Sequence, residues 1–107
     1  MLTLDRRTAV RATVNHEFRS VDAFIAEYVT NLSRSGVFIR SEDPFPVGTL
    51  VNLNFTIIAQ DLETIQGLGE VVRTVRPGEG PTAGMGVIFV ELNSVSQQLI
   101  ERILVRR

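Results

Sequence analysis

Two short stretches of this chain carry the residue types that could do chemistry. The first, Arg6-Arg7-Thr8-Ala9-Val10-Arg11, sets three guanidinium groups within one short run, and the second, Asn31-Leu32-Ser33-Arg34-Ser35-Gly36, follows it along the chain. A guanidinium is a planar, permanently charged fork of donors, a shape that suits phosphate and the adjacent O6 and N7 acceptors of guanine. Asn and Ser add neutral hydrogen-bonding groups, and Gly permits close approach. Singly, each stretch has an ordinary explanation. Arginines near a terminus form a solvated charge run, and Asn-x-Ser-x-x-Gly is a turn in which Asn and Ser bond their own backbone.

The rest of the chain offers no machinery for catalysis. His16 and Glu17 are adjacent in a predicted strand, so they point to opposite faces and cannot work as a pair; His16 is expected at the surface. Ser33 has no histidine near it in sequence, and the carboxylates Glu42-Asp43 and Asp61/Glu63 fall in predicted loops without metal-ligand spacing. Cysteine is absent, which excludes disulfides and thiolate chemistry, and one histidine cannot furnish a structural zinc site. The expectation is therefore a protein that is not an enzyme and holds no metal and no cofactor.

Eleven basic residues, all Arg, stand against twelve acidic ones, a net charge of −1 with a pI near 5.8. That balance argues against general binding to a nucleic-acid polymer or an anionic membrane, which needs a broad positive excess. Codon bias is the favoured account of an all-Arg composition, ahead of a need for guanidinium, and composition alone does not choose between them. Residues 1–11 lack the apolar core of a signal peptide and no stretch approaches a membrane span, so a cytoplasmic location is expected.

At 107 residues, with 44% hydrophobic and 21% charged residues, the chain fits one globular domain. The elements that must position the two stretches read as mostly β. In Leu50–Ile57, Val51, Leu53, Phe55 and Ile57 alternate with Asn52, Asn54 and Thr56, the period of a strand with one face inward and the other toward water. Asp43-Pro44-Phe45-Pro46-Val47-Gly48 before it is a loop. Thr64–Arg76 and Ala83–Leu92 flank Pro77-Gly78-Glu79-Gly80-Pro81 and should form a hairpin. Its glycines Gly67, Gly69, Gly84 and Gly86 mark sharp coiling or close backbone approach, and Met85, Val87 and Phe89 should face inward. Ala12–Phe18, Ala23–Leu32 and Gly36–Arg40 supply three more strands. The last segment changes period: Val95, Leu99, Ile100, Ile103 and Leu104 form one helical stripe, with Ser94 and Gln97 spaced as a capping box. This helix should cover the open end of a small barrel.

Together and in this β context, the two stretches resemble the motifs of the PilZ domain, the bacterial receptor module for cyclic di-GMP. Its RxxxR motif is met by Arg7 and Arg11, and its [D/N]xSxxG motif by Asn31, Ser33 and Gly36. The runs Gly36-Val37-Phe38-Ile39, Pro46-Val47-Gly48-Thr49, Gly69-Glu70-Val71-Val72 and Gly84-Met85-Gly86-Val87-Ile88-Phe89 resemble the family's later strands, so the likeness covers nearly the whole chain. It implies an all-β fold, a six-stranded antiparallel PilZ-type β-barrel with a C-terminal α-helix, as one domain over residues 1–107. Residues 1–11 would be a mobile arginine segment, 12–92 the barrel and 94–106 the helix.

The resemblance also implies a function. The chain would be a cyclic di-GMP receptor that changes conformation on binding and signals to a protein partner in motility, biofilm formation or development. Arg6, Arg7 and Arg11 would wrap the ligand, Asn31 and Ser33 would contact a guanine edge, and Gly36 would keep the strand surface clear for the bases. An Arg at position 6 accompanies, in the family, an intercalated cyclic di-GMP dimer. A carboxylate accepts from both guanine N1–H and N2–H, whereas the Asn31 amide offers one acceptor oxygen and a donor nitrogen. Two other readings compete: a PilZ-like protein-interaction module that binds no nucleotide, and a single-strand nucleic-acid binder. The second wants aromatic platforms on a basic groove, which six Phe, one Tyr and a net charge of −1 do not supply. The partner and the oligomeric state are not written in these residues.

Overall fold

The computed structural model describes residues 11–20, 22–24, 29–58 and 62–106. Arg6 and Arg7 lie outside them. The elements are β1 (Arg11–Phe18), β2 (Val29–Thr30), β3 (Gly36–Arg40), β4 (Leu50–Ile58), β5 (Leu62–Val75), β6 (Gly84–Leu92) and a helix, α1 (Ser94–Arg106). The strands form one sheet in the order β1-β4-β5-β6-β3-β2. Five strands have five residues or more; β2 is only a two-residue pairing of Val29 and Thr30 with Ile39 and Phe38. Among the described residues no pairing joins the edge strands β1 and β2, so the sheet is a curled half-barrel and not a closed barrel.

Beyond the open barrel, three further expectations need correction. The sheet is not wholly antiparallel, because β1 runs parallel to β4, with Val14 opposite Leu53. The intervening chain, which holds β2 and β3, is long enough for the crossover that parallel neighbours require. The strand expected over Ala23–Leu32 survives only as β2. Residues 22–24 instead make a helical turn, because the Ser20 hydroxyl accepts the Ala23 N–H at 3.1 Å and the Ser20 carbonyl accepts that of Phe24 at 3.1 Å. Capping by Ser outweighs the strand preference of one aromatic. The turn drives Phe24 into the core, fully buried, with its ring 5.1 Å from that of Phe18 and 5.4 Å from that of Phe55.

The third correction concerns the helix. Its cap is Asn93, one residue earlier than expected: Asn93 Oδ1 accepts the Ser96 N–H at 2.8 Å and its carbonyl accepts that of Gln97 at 3.0 Å. Leu99, Ile100 and Ile103 are buried as the stripe requires, but Val95 is exposed in the first turn. Ser96 takes the buried place. Its Oγ accepts the Gln66 N–H at 2.8 Å and donates to the Thr64 carbonyl at 3.4 Å, tying α1 to β5 where β6 has ended and a backbone donor would otherwise lack a partner.

Elsewhere the periodicity holds. Val51, Leu53, Phe55 and Ile57 of β4 are all buried, while Asn52, Asn54 and Thr56 are half-buried because β1 and β5 crowd both sides. Asn54 Nδ2 donates to Asn15 Oδ1 across the parallel pair at 3.3 Å. The loop before β4 turns at Gly48, in the left-handed region with φ 96°, and is pinned to β5 by Gly48 N–H to the Val71 carbonyl at 2.8 Å. The β5–β6 hairpin forms as expected, with Met85 and Val87 buried and Phe89 partly so.

Candidate functional site

The Asn31–Gly36 segment is a compact turn between β2 and β3. Asn31 adopts φ 54°, a left-handed conformation that Asn tolerates better than most residues. Ser33 closes the turn: its N–H donates to the Gly36 carbonyl at 2.9 Å, and its Oγ accepts the N–H groups of Ser35 and Gly36 at 3.3 and 3.2 Å. Gly36 is buried opposite Ile88, and a Cβ there would collide with the Val87 carbonyl oxygen. Two of the motif residues thus have structural work in this fold. Ser33 builds the turn, and Gly36 lets β3 lie close on β6. Asn31 is the motif side chain that remains on the surface of a cleft.

That cleft, of about 330 Å³, is lined by Asn31, Phe38, Arg73, Glu79, Pro81 and Thr82 among others. Phe38 of β3, Gly86 of β6 and Arg73 of β5 form one row across three strands. Gly86 has no side chain to separate its neighbours, so the Arg73 guanidinium lies over the Phe38 ring at 5.8 Å from its centroid. Gly84 does similar service two residues earlier, since a Cβ there would strike the same ring. A register shift between Val71 and Arg73 puts Val72 in the ladder as an extra residue and sets Arg73 opposite Gly86. The paired glycines read as coiling devices in the sequence therefore also seat this stacked pair. At the lip of the cleft the Glu79 carboxylate accepts the Arg76 N–H at 2.8 Å, closing the hairpin turn whose Gly78 has φ 89°.

Arg73 and Phe38 were not legible as site residues. Arg73 sits in an ordinary strand sequence, and only the bulge at Val72 brings it beside Phe38. A usable signal was present in Gly84-Met85-Gly86, where glycines at period two leave a bare strip for neighbouring side chains. Of the expected site residues, the fold brings Asn31, Ser33 and Gly36 together in the turn. Arg11 is the first residue of β1, paired with Leu50, so its backbone belongs to the sheet and not to the preceding segment. Arg6 and Arg7 fall outside the described residues. His16 is exposed, as expected.

A second charged feature borders the turn. Arg34 hydrogen-bonds Glu101 of α1 through both arms: Nε donates to Oε2, and Nη2 donates to Oε1 at 3.0 Å. The hydrogen bond from Arg34 holds the Glu101 carboxyl below the ordinary carboxylate range and raises the guanidinium in turn. The depressed acid sets the sign: the pair's contribution is present above the ordinary carboxylate value and is lost as pH falls through the depressed one. Both side chains are well exposed, so water and salt screen the pair.

A curled half-barrel sheet, anchored by a C-terminal helix and carrying an Asn-x-Ser-x-x-Gly turn beside a cleft, defines a class of small β domains. The PilZ domain model matches residues 5–106, and the chain belongs to the PilZ family. No curated protein matches it significantly. Among the described residues no group of His, Asp and Glu is placed to hold a metal ion, and no helix is long and apolar enough to cross a membrane.

Proposed function

We propose that this PilZ domain is a receptor for cyclic di-GMP that passes the binding event to a protein partner and carries out no reaction of its own. The observation that carries the reading is the meeting of Asn31 with the Arg73–Phe38 stack in one cleft, in a chain whose sequence also fills both arginine positions of RxxxR. The stacked pair supplies a flat surface on which a purine can lie, and Arg73 adds positive charge for a ligand with two phosphates. Asn31, exposed at the edge of the same cleft, is suited to hydrogen-bond the edge of that base. Arg6, Arg7 and Arg11 would close over the ligand from the N-terminal side, contacting phosphate and guanine. In this reading Ser33 and Gly36 act chiefly by holding Asn31 in place.

The test is calorimetric titration with cyclic di-GMP, using cyclic di-AMP as the control for base identity. The parent should bind the guanine ligand selectively. Arg7→Ala should weaken binding by about 1–3 kcal/mol, the worth of one bidentate charge-assisted contact. Absence of binding by well-folded parent protein would overturn the nucleotide reading. It would favour the interaction module, a reading supported by the local structural work already found for Ser33 and Gly36.

A further inference from the structure

We propose that Arg34 and Glu101 form a latch between the Asn-x-Ser-x-x-Gly turn and α1, and that nucleotide phosphate opens it by taking Arg34 from Glu101. The proposal rests on the nucleotide reading and adds to it a route by which the ligand reaches the helix. Arg34 is the one cation within Asn31–Gly36, and it follows directly on Ser33. Its guanidinium is turned toward the helix, where both arms bond the Glu101 carboxylate. The pair bridges a groove of about 240 Å³ whose lining includes Phe89, Leu92, Gln97 and Ile100. Close packing therefore does not fill the space between turn and helix at this point, and the ion pair spans it.

The latch is weak by construction. The side chains are 77% and 44% exposed, so water competes for both partners. Pairs of this kind contribute little in isolation, and a ligand with two phosphodiester charges can outcompete a single screened carboxylate for a guanidinium. Once released, Glu101 finds its sequence neighbour already engaged, since Arg102 bonds Glu63 of β5 at 2.5 Å. The helix stays seated through Leu99, Ile100 and Ile103 and through Arg102. What changes is its connection to the turn and the closure of the groove.

The experiment is a double-mutant cycle on cyclic di-GMP affinity, read by calorimetry on the full chain: parent, Glu101→Gln, Arg34→Gln and both together. Both positions are exposed, and thermal melts establish that each variant is folded. Glu101→Gln removes the competitor and should tighten binding about two- to five-fold. Arg34→Gln should weaken it, and Glu101→Gln should then have no effect in the Arg34→Gln background. A gain of equal size in both backgrounds would mean that Glu101 merely repels the ligand at a distance, and would overturn the latch. So would a Glu101→Gln protein that binds no tighter than the parent. If the parent itself fails to bind, the latch and the nucleotide reading fall together; if it binds and the cycle is flat, the latch falls alone.

Discussion

Gly36 belongs to the motif that suggests ligand binding, yet the fold gives it a separate reason to be glycine, and the two can be told apart. An added Cβ would meet the Val87 carbonyl oxygen, with the Ile88 Cα at 3.2 Å and the Val87 carbonyl carbon at 3.3 Å. All three are backbone atoms of a paired strand, so none can swing aside as a side-chain tip would. Gly36→Ala must therefore push β3 off β6. Forcing a methyl group into a filled space costs about 1–3 kcal/mol. Replacing Gly by Ala also narrows the unfolded ensemble, which returns about 0.4–1 kcal/mol. The two ranges combine to a net loss between about 0 and 2.6 kcal/mol, and because the clash is with fixed backbone the upper part is expected, about 1–2.6 kcal/mol or a fall in Tm of roughly 4–20 °C for a domain of this size. Gly86→Ala is the control, since its Cβ would find only the Arg73 Cβ at 3.4 Å. It should stay within about 1 kcal/mol of the parent, because alanine suits a strand better than glycine where space allows. Urea denaturation at fixed ligand-free conditions measures both. A Gly36→Ala protein as stable as the parent would refute the close-approach argument and return Gly36 to a role in binding alone.

Three further outcomes are expected. Ser96→Ala removes the acceptor that the part-buried Gln66 N–H bonds at 2.8 Å and should lower stability by about 0.5–1.5 kcal/mol, visible as a shifted urea midpoint; an unchanged midpoint would mean that the helix is not held there. Asn31→Asp keeps a side chain able to adopt φ 54° and gives guanine a two-oxygen acceptor, so the variant should bind cyclic di-GMP as tightly as the parent or more so. Loss of binding in a folded protein would instead place Asn31 against phosphate. Arg6 should support a second, intercalated ligand, giving two cyclic di-GMP per chain at saturation and one after Arg6→Leu; calorimetric saturation of the unmodified protein at one ligand would contradict this.

How much of the molecule was legible depended on whether a feature was local. The alternation in β4, the hairpin around Pro77–Pro81 and the apolar stripe of α1 from Leu99 onward are set by residues a few positions apart, and each formed where periodicity put it, whereas Val95 at the head of the stripe is exposed. The failures were contests between near-equal local signals. Ser20 could cap a helical turn or end a strand; it caps the turn, and the turn is held further by the burial of Phe24 beside Phe18 and Phe55. Asn93 and Ser94 could each cap α1; Asn93 does so because Ser96 then falls at the buried position facing β5. The parallel pairing of β1 with β4 was beyond local reading, since it is fixed by the path of the chain between them.

The site divides in the same way, and the division bears on function. The motif turn was legible because Asn, Ser and Gly at that spacing make their own hydrogen bonds, whichever protein they occupy. That is also why the motif cannot by itself establish binding: a turn so well satisfied internally would persist in a domain that had ceased to hold nucleotide. Arg73 stands differently. Its place over Phe38 needs an extra residue at Val72, with no long side chain at Gly86 standing between the two, and that bulge is not explained by closing the turn. An exposed guanidinium stacked on a ring beside Asn31 contributes little to the fold's stability, so its arrangement is the feature a binding function accounts for best. Arg73→Ala is consequently a sharper probe of the nucleotide reading than any change within the turn: it removes the stacking surface and leaves the hydrogen bonds of Ser33 and the packing of Gly36 as they were.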